Sequence, residues 1–302
     1  MYLVVGSTGM LGSEICRQLV AAGKPVKALV RTTSDAAKVT ALQRAGIQIA
    51  KGDLKDLASL QKACEGVNTI ISTASSTLSR QTGDSIQSVD QDGHIDLIDV
   101  AVLAGVKKFV HISFRTTENP ELQYPLKKAK LAVEKHLEQS GLDYTILQAS
   151  YFMEVWLGPA LAFDYDNGSA QIYGNGNGKI SWISFMDVAN FTMACLDHPE
   201  AKNKTIAIGG PEPLSPHEVV QIFEQTQGRT FQKSYLPEEA IWQQKEAAEN
   251  DVQETFAGLM LQYAAGDNIP MEQTLDTFGL AFTSVASYAQ SVSKTLAAAQ
   301  AS

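Results

Sequence analysis

Apolar positions in the first half of the chain follow two alternating rhythms. The short runs Tyr2–Val5, Val26–Val30, Ile47–Ala50, Thr69–Ser72, Lys108–Ile112 and Tyr144–Leu147 read as strands. Between them, Met10–Ala22, Asp35–Ala45, Leu57–Cys64, Asp90–Ala104 and Lys127–Ser140 carry helical spacing. Strands with little polar alternation are buried on both faces, so the pattern predicts βαβ units on a parallel sheet. Right-handed crossovers wind such units into a doubly wound α/β fold. The helices end in Ala22-Gly23, Ala45-Gly46, Glu65-Gly66, Ala104-Gly105 and Ser140-Gly141, where a C-cap wants positive φ.

The second half has a different texture. Asp166-Asn167-Gly168 and Gly174-Asn175-Gly176-Asn177-Gly178 flank a short Ala170–Tyr173 run, which predicts a hairpin or loop pair. Ile180–Phe185 and Thr205–Ile208 read as strands, and Asp187–Leu196 as a helix. Ser215–Thr226 reads as a helix opened by a capping box, Ser215 with Glu218. Glu238–Asn250 and Val252–Ala265 read as helices split near Asn250, and the Ala/Ser-rich tail from Ser284 as a last helix or a frayed end. We therefore expect a dinucleotide-binding domain over residues 1–155. A smaller, mostly helical C-terminal substrate lobe then covers 156–302, with segments near 180–210 returning to the first domain.

Composition narrows the function classes. The 302 residues include 24 Lys plus Arg against 33 Asp plus Glu, a net charge of −9. That balance is poorly suited to binding a nucleic-acid backbone or an anionic membrane surface. Three scattered cysteines, Cys16, Cys64 and Cys195, form neither a disulfide framework nor a zinc site. No apolar run is long enough to span a bilayer, and no basic, then apolar, leader opens the chain, so a reducing cytoplasm is the expected location. The five histidines lack ligand spacing, so no metal is expected. There is no Gly-x-Ser-x-Gly elbow and no P-loop.

The strongest local signal is Gly6-Ser7-Thr8-Gly9-Met10-Leu11-Gly12, placed between the first strand and the first helix. Gly6 permits a tight turn, Gly9 lets the backbone approach a pyrophosphate, and Gly12 lets the helix pack close to the strand. The N–H groups of the first helical turn then face the anion, as in a Rossmann fold. The second strand ends in Val30-Arg31-Thr32, about 20 residues past the glycines, where an NAD site carries Asp or Glu. A guanidinium suits a 2′-phosphate instead, so NADP(H) is the expected cofactor. Asp53 and Leu54 follow the third strand, where either an adenine edge or a helix cap accounts for the aspartate. Thr73-Ala74-Ser75 follows the fourth strand, small enough for a cofactor to lie across the strand ends.

These motifs occur together with Ala104-Gly105-Val106-Lys107-Lys108-Phe109-Val110, Glu134 and Ser140-Gly141-Leu142-Asp143-Tyr144-Thr145-Ile146-Leu147. Ser184-Phe185-Met186-Asp187-Val188-Ala189 and Tyr263-Ala264-Ala265-Gly266-Asp267 follow. The set resembles the NmrA-like branch of the atypical short-chain dehydrogenases over nearly the whole chain. That branch contains quinone, dye and plant isoflavone reductases, photosystem-assembly factors and NADP-binding regulators without turnover. The resemblance implies an NADPH-dependent reductase acting on a conjugated, aromatic or quinone-like small molecule. The alternative it leaves open is a non-catalytic NADP-binding sensor or assembly protein with a protein partner.

The resemblance also places the catalytic positions. Related dehydrogenases carry Tyr-x-x-x-Lys on one helical face, the Tyr as acid. Here the family's Lys falls on Lys130, and Leu126 stands where the Tyr would be. Isoflavone-reductase-like members also keep the Lys alone. A second register, Tyr124 with Lys128, needs a helix that begins at Pro125 with Tyr124 just outside it. A solvated Lys130 paired with Glu134 is the plain structural alternative. Ser113, at the end of the fifth strand, would meet substrate or the nicotinamide ribose, and His111 reads as a satisfied strand histidine. Gln148-Ala149-Ser150-Tyr151-Phe152 replaces an Arg-Pro-containing run of the family, with Tyr151 and Phe152 expected beside the nicotinamide. Trp156, Trp182, Tyr263 and other aromatics of the second half are expected in the core or in a flat apolar pocket.

Overall fold

The structure is a computed structural model that describes residues 1–77, 80–117 and 119–300, with side chains to residue 294. The first half runs β1 (Tyr2–Val5), α1 (Met10–Ala21), β2 (Val26–Val30), α2 (Ala36–Arg44), β3 (Gln48–Lys51), α3 (Leu57–Cys64) and β4 (Thr69–Ser72). A π-helix (Ile86–Asp92) leads into α4 (Gly93–Leu103), then β5 (Lys108–Phe114), α5 (Pro125–Gln139) and β6 (Asp143–Ala149). The second half adds α6 (Met153–Trp156), β7 (Phe163–Asp164), β8 (Ser169–Tyr173), α7 (Phe185–Cys195) and β9 (Lys204–Ile208). It ends with α8 (Pro216–Gln227), β10 (Gln232–Leu236), α9 (Glu238–Glu246), α10 (Asp251–Ala265), α11 (Glu272–Phe278) and α12 (Val285–Gln300).

Seven strands form one sheet in the order β3-β2-β1-β4-β5-β6-β9, the expected doubly wound parallel arrangement. β1 lies between β2 and β4, with Val4 opposite Ala28 on one side and Ile71 on the other. The order reverses about β1, so the β1 and β4 carboxyl ends flank the crevice where a ligand of such a sheet binds. Leu3, Val5, Ile70 and Phe109 from the strands and Leu97, Ile98 and Val133 from the helices share one buried cluster. A second sheet, β10-β8-β7, pairs β8 parallel to β10 and antiparallel to β7.

The chain divides into two compact units. One comprises Met1–Phe114, Tyr124–Gln148 and Val188–Ile206; the other comprises Arg115–Gln123, Ala149–Asp187 and Ala207–Ser302. The crossing from the first to the second thus falls at Gln148 rather than residue 155, and Arg115–Gln123 joins the second unit. Among the described residues no helix is long and apolar enough to cross a membrane.

Several elements differ from the expectations. Ile180–Phe185 is not a strand, because its backbone bonds are divided among three separate stretches, at Gly210 and Leu214, at Asp267, and at Tyr151 and Met153. Ile180 exchanges both bonds with Leu214, Ser181 donates to the Asp267 carbonyl, and Ile183 donates to that of Tyr151. β10 and α11 carry no strong periodicity and were not foreseen. The helix expected from Asp90 begins four residues earlier as a π-helix, capped by a reciprocal Ser85–Ser88 box. The Ser215–Glu218 box opens α8 as expected. Asn250, expected near a split, is the N-cap of α10 and accepts from Val252 and Gln253.

Candidate functional site

The turn after β1 is built by its glycines. Gly6 has φ of +84°, and a Cβ there would lie 2.5 Å from Thr73 Oγ1. A Cβ on Gly12 would lie 2.2 Å from the Gly6 carbonyl oxygen, so α1 packs as close to the turn as glycine permits. A Cβ on Gly9 meets only that same oxygen, at 3.3 Å. Gly9 is the N-cap of α1, has extended backbone and makes no side-chain cap. Among the described residues no side chain is bonded to the first-turn N–H groups, so the helix presents them and its positive dipole end. That cradle fits a pyrophosphate.

Side chains around the turn brace it. Ser7 is buried and its hydroxyl donates to the Leu29 carbonyl at 2.9 Å, tying the turn to β2. Thr73 donates to the Val5 carbonyl through both its N–H (2.9 Å) and its hydroxyl (3.1 Å). Thr8 and Ala74 are half-buried, and Met10 is exposed. Leu11 and Leu54 bury their side chains in the interior, which leaves only their main chain for a ligand. Asp53 does not cap α3: Asp56 does so, while Asp53 accepts from the Lys55 N–H at 2.9 Å.

Arg31 stands at the end of β2 as expected, but it has a partner. Its Nη1 donates to Asp84 Oδ2 at 2.7 Å, and Lys55 Nζ donates to Asp84 Oδ1 at 2.5 Å. The Asp84 side chain is 1% exposed. Burial pushes its carboxyl up, and the hydrogen bonds from Lys55, the Gln81 backbone and Arg31 more than reverse this, leaving it below its usual range. Thr32 is exposed beside Arg31.

The second part of the site is a buried polar cluster on β4, the π-helix, α4, β5 and α5. Tyr124 precedes a proline and is held extended, so α5 begins at Pro125 with Tyr124 as its N-cap. Within α5, Lys127 and Lys130 are buried and Lys128 is exposed. The second register meets its helix-start requirement, yet its Tyr is fully buried while its Lys faces solvent. Leu126 is buried.

Lys130 is not the solvated cation of the plain alternative. Its Nζ lies 3.5 Å from Asp90 Oδ1, and Asp90 Oδ2 accepts from the Ser76 N–H (3.0 Å) and hydroxyl (2.6 Å). Burial raises the Asp90 carboxyl, and the Lys130 charge with the hydrogen bonds from Ser76 and Ser75 more than reverses it. Ser75, expected at the cofactor, thus engages Asp90, and its hydroxyl also lies 3.0 Å from that of Thr77. Glu134 accepts instead from the Ser113 hydroxyl and from Gln148 Nε2 (2.8 Å), and burial pushes its carboxyl up.

Two imidazoles complete the cluster. His94 Nε2 lies 2.9 Å from Ser72 Oγ and its Nδ1 lies 2.8 Å from the Val89 carbonyl. Burial lowers its pKa to about 4, helped by the Lys130 charge. His111 packs edge-on against His94 with ring centroids 5.1 Å apart. It is not the satisfied histidine expected, because among the described residues neither ring nitrogen has a hydrogen-bond partner. Burial, with the neighbouring His94 and Lys130 charges, depresses its pKa well below the usual value. Sequence reasoning missed Asp90, Lys55 and Asp84. Only the Ser85-x-x-Ser88 cap signals that Asp90 sits inside a helix rather than at its start.

Tyr151 and Phe152 belong to the second unit. There the Tyr151 ring is buried against Trp156, Trp182 and Tyr263, and its hydroxyl donates to the Leu259 carbonyl at 3.4 Å. Trp182 and Tyr263 are buried core residues.

Known proteins are similar to this chain in sequence and in architecture. A maize (Zea mays) isoflavone reductase homolog is 34% identical over 255 residues, covering 80% of this chain and 79% of the relative. The photosystem II assembly factor Ycf39 of Synechocystis is 35% identical over 238 residues, 78% of this chain and 70% of the relative. Among solved structures, an NADPH-dependent quinone oxidoreductase of Escherichia coli, complexed with NADPH, superposes with a TM-score of 0.77 at 22% identity. That match covers 97% of this chain and 99% of the other. The NmrA-like family model matches residues 2–288, from the first residue of β1 into α12, and so takes in both the glycine turn and the Lys130 helix. With that span matched and these relatives above 30% identity, the chain belongs to the NmrA-like family.

Proposed function

We propose that the protein is an NADPH-dependent reductase that transfers hydride to a conjugated, aromatic or quinone-like small molecule. The observation that carries this reading is the uncapped α1 N-terminus over Gly9, with Arg31 at the end of the adjacent strand. The relatives that bear reductase names support it. When bound, NADPH supplies the hydride. Gly6–Gly12 and the α1 N-terminus hold its pyrophosphate, and Arg31 meets its 2′-phosphate. Thr73 and Ala74 leave room at the β4 end for the chain to bind it across the strands.

Lys130 is the residue we assign to the reacting end. Asp90 and its two Ser76 hydrogen bonds hold the Lys130 ammonium on α5. From there the ammonium orients the nicotinamide ribose and stabilises negative charge that develops on the acceptor oxygen. Ser113 donates its hydroxyl proton to Glu134, which leaves its oxygen as an acceptor for a ribose or substrate hydroxyl. Tyr124, fully buried, serves the helix start rather than proton transfer.

A second reading is a non-catalytic NADP-binding protein with a protein partner. It is favoured by Leu126 at the position of the family's acid and by the likeness to an assembly factor. One experiment separates the two: NADPH oxidation screened against quinones, dyes and enones, with cofactor affinity measured alongside. Turnover of any of these acceptors establishes the reductase. Saturable NADPH binding with none turned over establishes the second reading.

A further inference from the structure

The Arg31 guanidinium is engaged by an internal carboxylate at the place where a cofactor phosphate is expected. Asp84 comes from the segment after β4 and sits between two cations from different loops, Arg31 after β2 and Lys55 after β3. One carboxylate oxygen takes Arg31 Nη1 at 2.7 Å and the Gln81 N–H at 3.0 Å; the other takes Lys55 Nζ at 2.5 Å. The same turn is docked on the Arg31 loop a second time. Gln81 Nε2 donates to the Thr33 carbonyl at 3.3 Å, and the Thr33 hydroxyl donates to Gln81 Oε1. Arg31 and Lys55 keep 26% and 28% of their side chains exposed, whereas Asp84 keeps 1%. The cations are thus reachable from solvent while the anion that neutralises them is inside.

We propose that Asp84 and Lys55 set the cofactor preference together with Arg31: Lys55 is the second cation for the ribose 2′-phosphate, and Asp84 is the internal anion that the phosphate must displace. The proposal rests on the reading of Arg31 as the 2′-phosphate residue. Its physical basis is charge bookkeeping. Two cations and one carboxylate leave a net charge of about +1 for a phosphate that carries up to two negative charges near pH 7. A phosphate seated on Arg31 with Asp84 still in place would lie against a like charge. Binding therefore exchanges the Asp84 contacts for phosphate contacts of similar, charge-assisted kind. A cofactor with a bare 2′-hydroxyl gains nothing from that exchange and leaves Asp84 where it is. The carboxylate thus lowers the affinity for NADP(H) and has little effect on NAD(H). A depressed carboxyl pKa keeps Asp84 charged throughout the neutral range.

The test is titration calorimetry of the full chain with NADPH, NADH and 2′,5′-ADP. Asp84→Asn keeps the shape of the side chain and removes its charge. It should tighten NADPH and 2′,5′-ADP by about 10-fold, one charge contact, and change NADH less than about twofold. Lys55→Gln should weaken NADPH and 2′,5′-ADP about 5- to 10-fold and leave NADH unchanged. If Asp84→Asn leaves NADPH unchanged or weakens it, Asp84 merely props Arg31 in position and the proposal is overturned. If Lys55→Gln affects both cofactors alike or neither, Lys55 is no part of the phosphate site. Arg31→Ala, run in parallel, identifies the level of failure. A selective loss of NADPH there, without tightening in Asp84→Asn, condemns only this proposal, whereas no selective loss condemns the assignment of Arg31 as well.

Discussion

Lys130 and Asp90 form a buried ion pair, Nζ to Oδ1 3.5 Å, in which the two side chains are only 5% and 0% exposed. Asp90 reaches Lys130 from a π-helix, a form rare in proteins and frequent at functional sites. Surface pairs contribute little, but removing one partner of a buried pair leaves a charge without compensation, at about 3–5 kcal/mol. Asp90→Asn and Lys130→Met should each destabilise the protein by that order. The double variant should cost less than the two combined, because neither charge is then stranded. Chemical denaturation of the four proteins measures the coupling, and strict additivity would show that the pair does not act as one.

Lys130→Met should also separate binding from turnover. The glycine cradle and Arg31 remain, so NADPH should bind with nearly unchanged affinity. Turnover of an accepted quinone or dye should fall by roughly 10²-fold or more, within the usual range for a positioned acid–base group. Lys128→Met should cost little, since Lys128 faces solvent. Tyr124→Phe should retain activity; a dead Tyr124→Phe enzyme with normal Lys130→Met would restore the other register.

For the cofactor, Arg31→Ala should weaken NADP by roughly 10- to 150-fold, the equivalent of a charge-assisted contact of about 1.5–3 kcal/mol. NAD affinity should stay nearly constant. Equal losses for the two cofactors in a fluorescence titration would remove Arg31 from the phosphate site.

The cradle glycines should fail in different ways. At Gly12 a methyl group meets the Gly6 carbonyl, so Gly12→Ala should lower stability by about 1–3 kcal/mol. At Gly9 it meets little protein and projects where the pyrophosphate approaches. Gly9→Ala should therefore keep the melting temperature within a few degrees and lose NADPH binding. Thermal melts paired with cofactor titrations check both.

Histidine burial gives a pH dependence with a definite sign. His94 has a folded pKa of about 4 against 6.5 when unfolded, and that of His111 is also depressed. The unfolded chain takes up these protons first, so stability is full above pH 6.5 and falls as the pH drops from 6.5 toward 4. His111→Leu removes two buried nitrogens that lack partners and should raise stability at pH 7.5 by about 1 kcal/mol. It should also flatten the loss between pH 6.5 and 5. Denaturation midpoints at three pH values test this, and an unchanged slope would place the acid sensitivity elsewhere.

The sequence alone determined the βα alternation of the first half, the glycine turn and the location of Arg31. Each is a local matter: a buried strand needs consecutive apolar residues, a tight turn needs Gly6 at positive φ, and Arg31 needs only to follow β2. The same locality explains why the capping box at Ser215 was legible, whereas α5 begins at Pro125, two residues before the Lys127 start its apolar spacing suggested. Partner choice was not. The apolar run at Ile180 was legible as extended chain, but only packing sends its backbone bonds to Leu214, Asp267 and Tyr151 instead of to one neighbouring strand. Lys130 was placed by family register, with Glu134 as its nearest candidate partner in sequence. Tertiary packing gave it Asp90 from another helix and gave Glu134 to Ser113. Arg31 could be read as a phosphate ligand from its position, but that Asp84 already holds it depends on a turn 53 residues away docking on the loop after β2. Local conformational preference is written in neighbouring residues, whereas a buried charge is paired with whichever opposite charge the fold brings within reach.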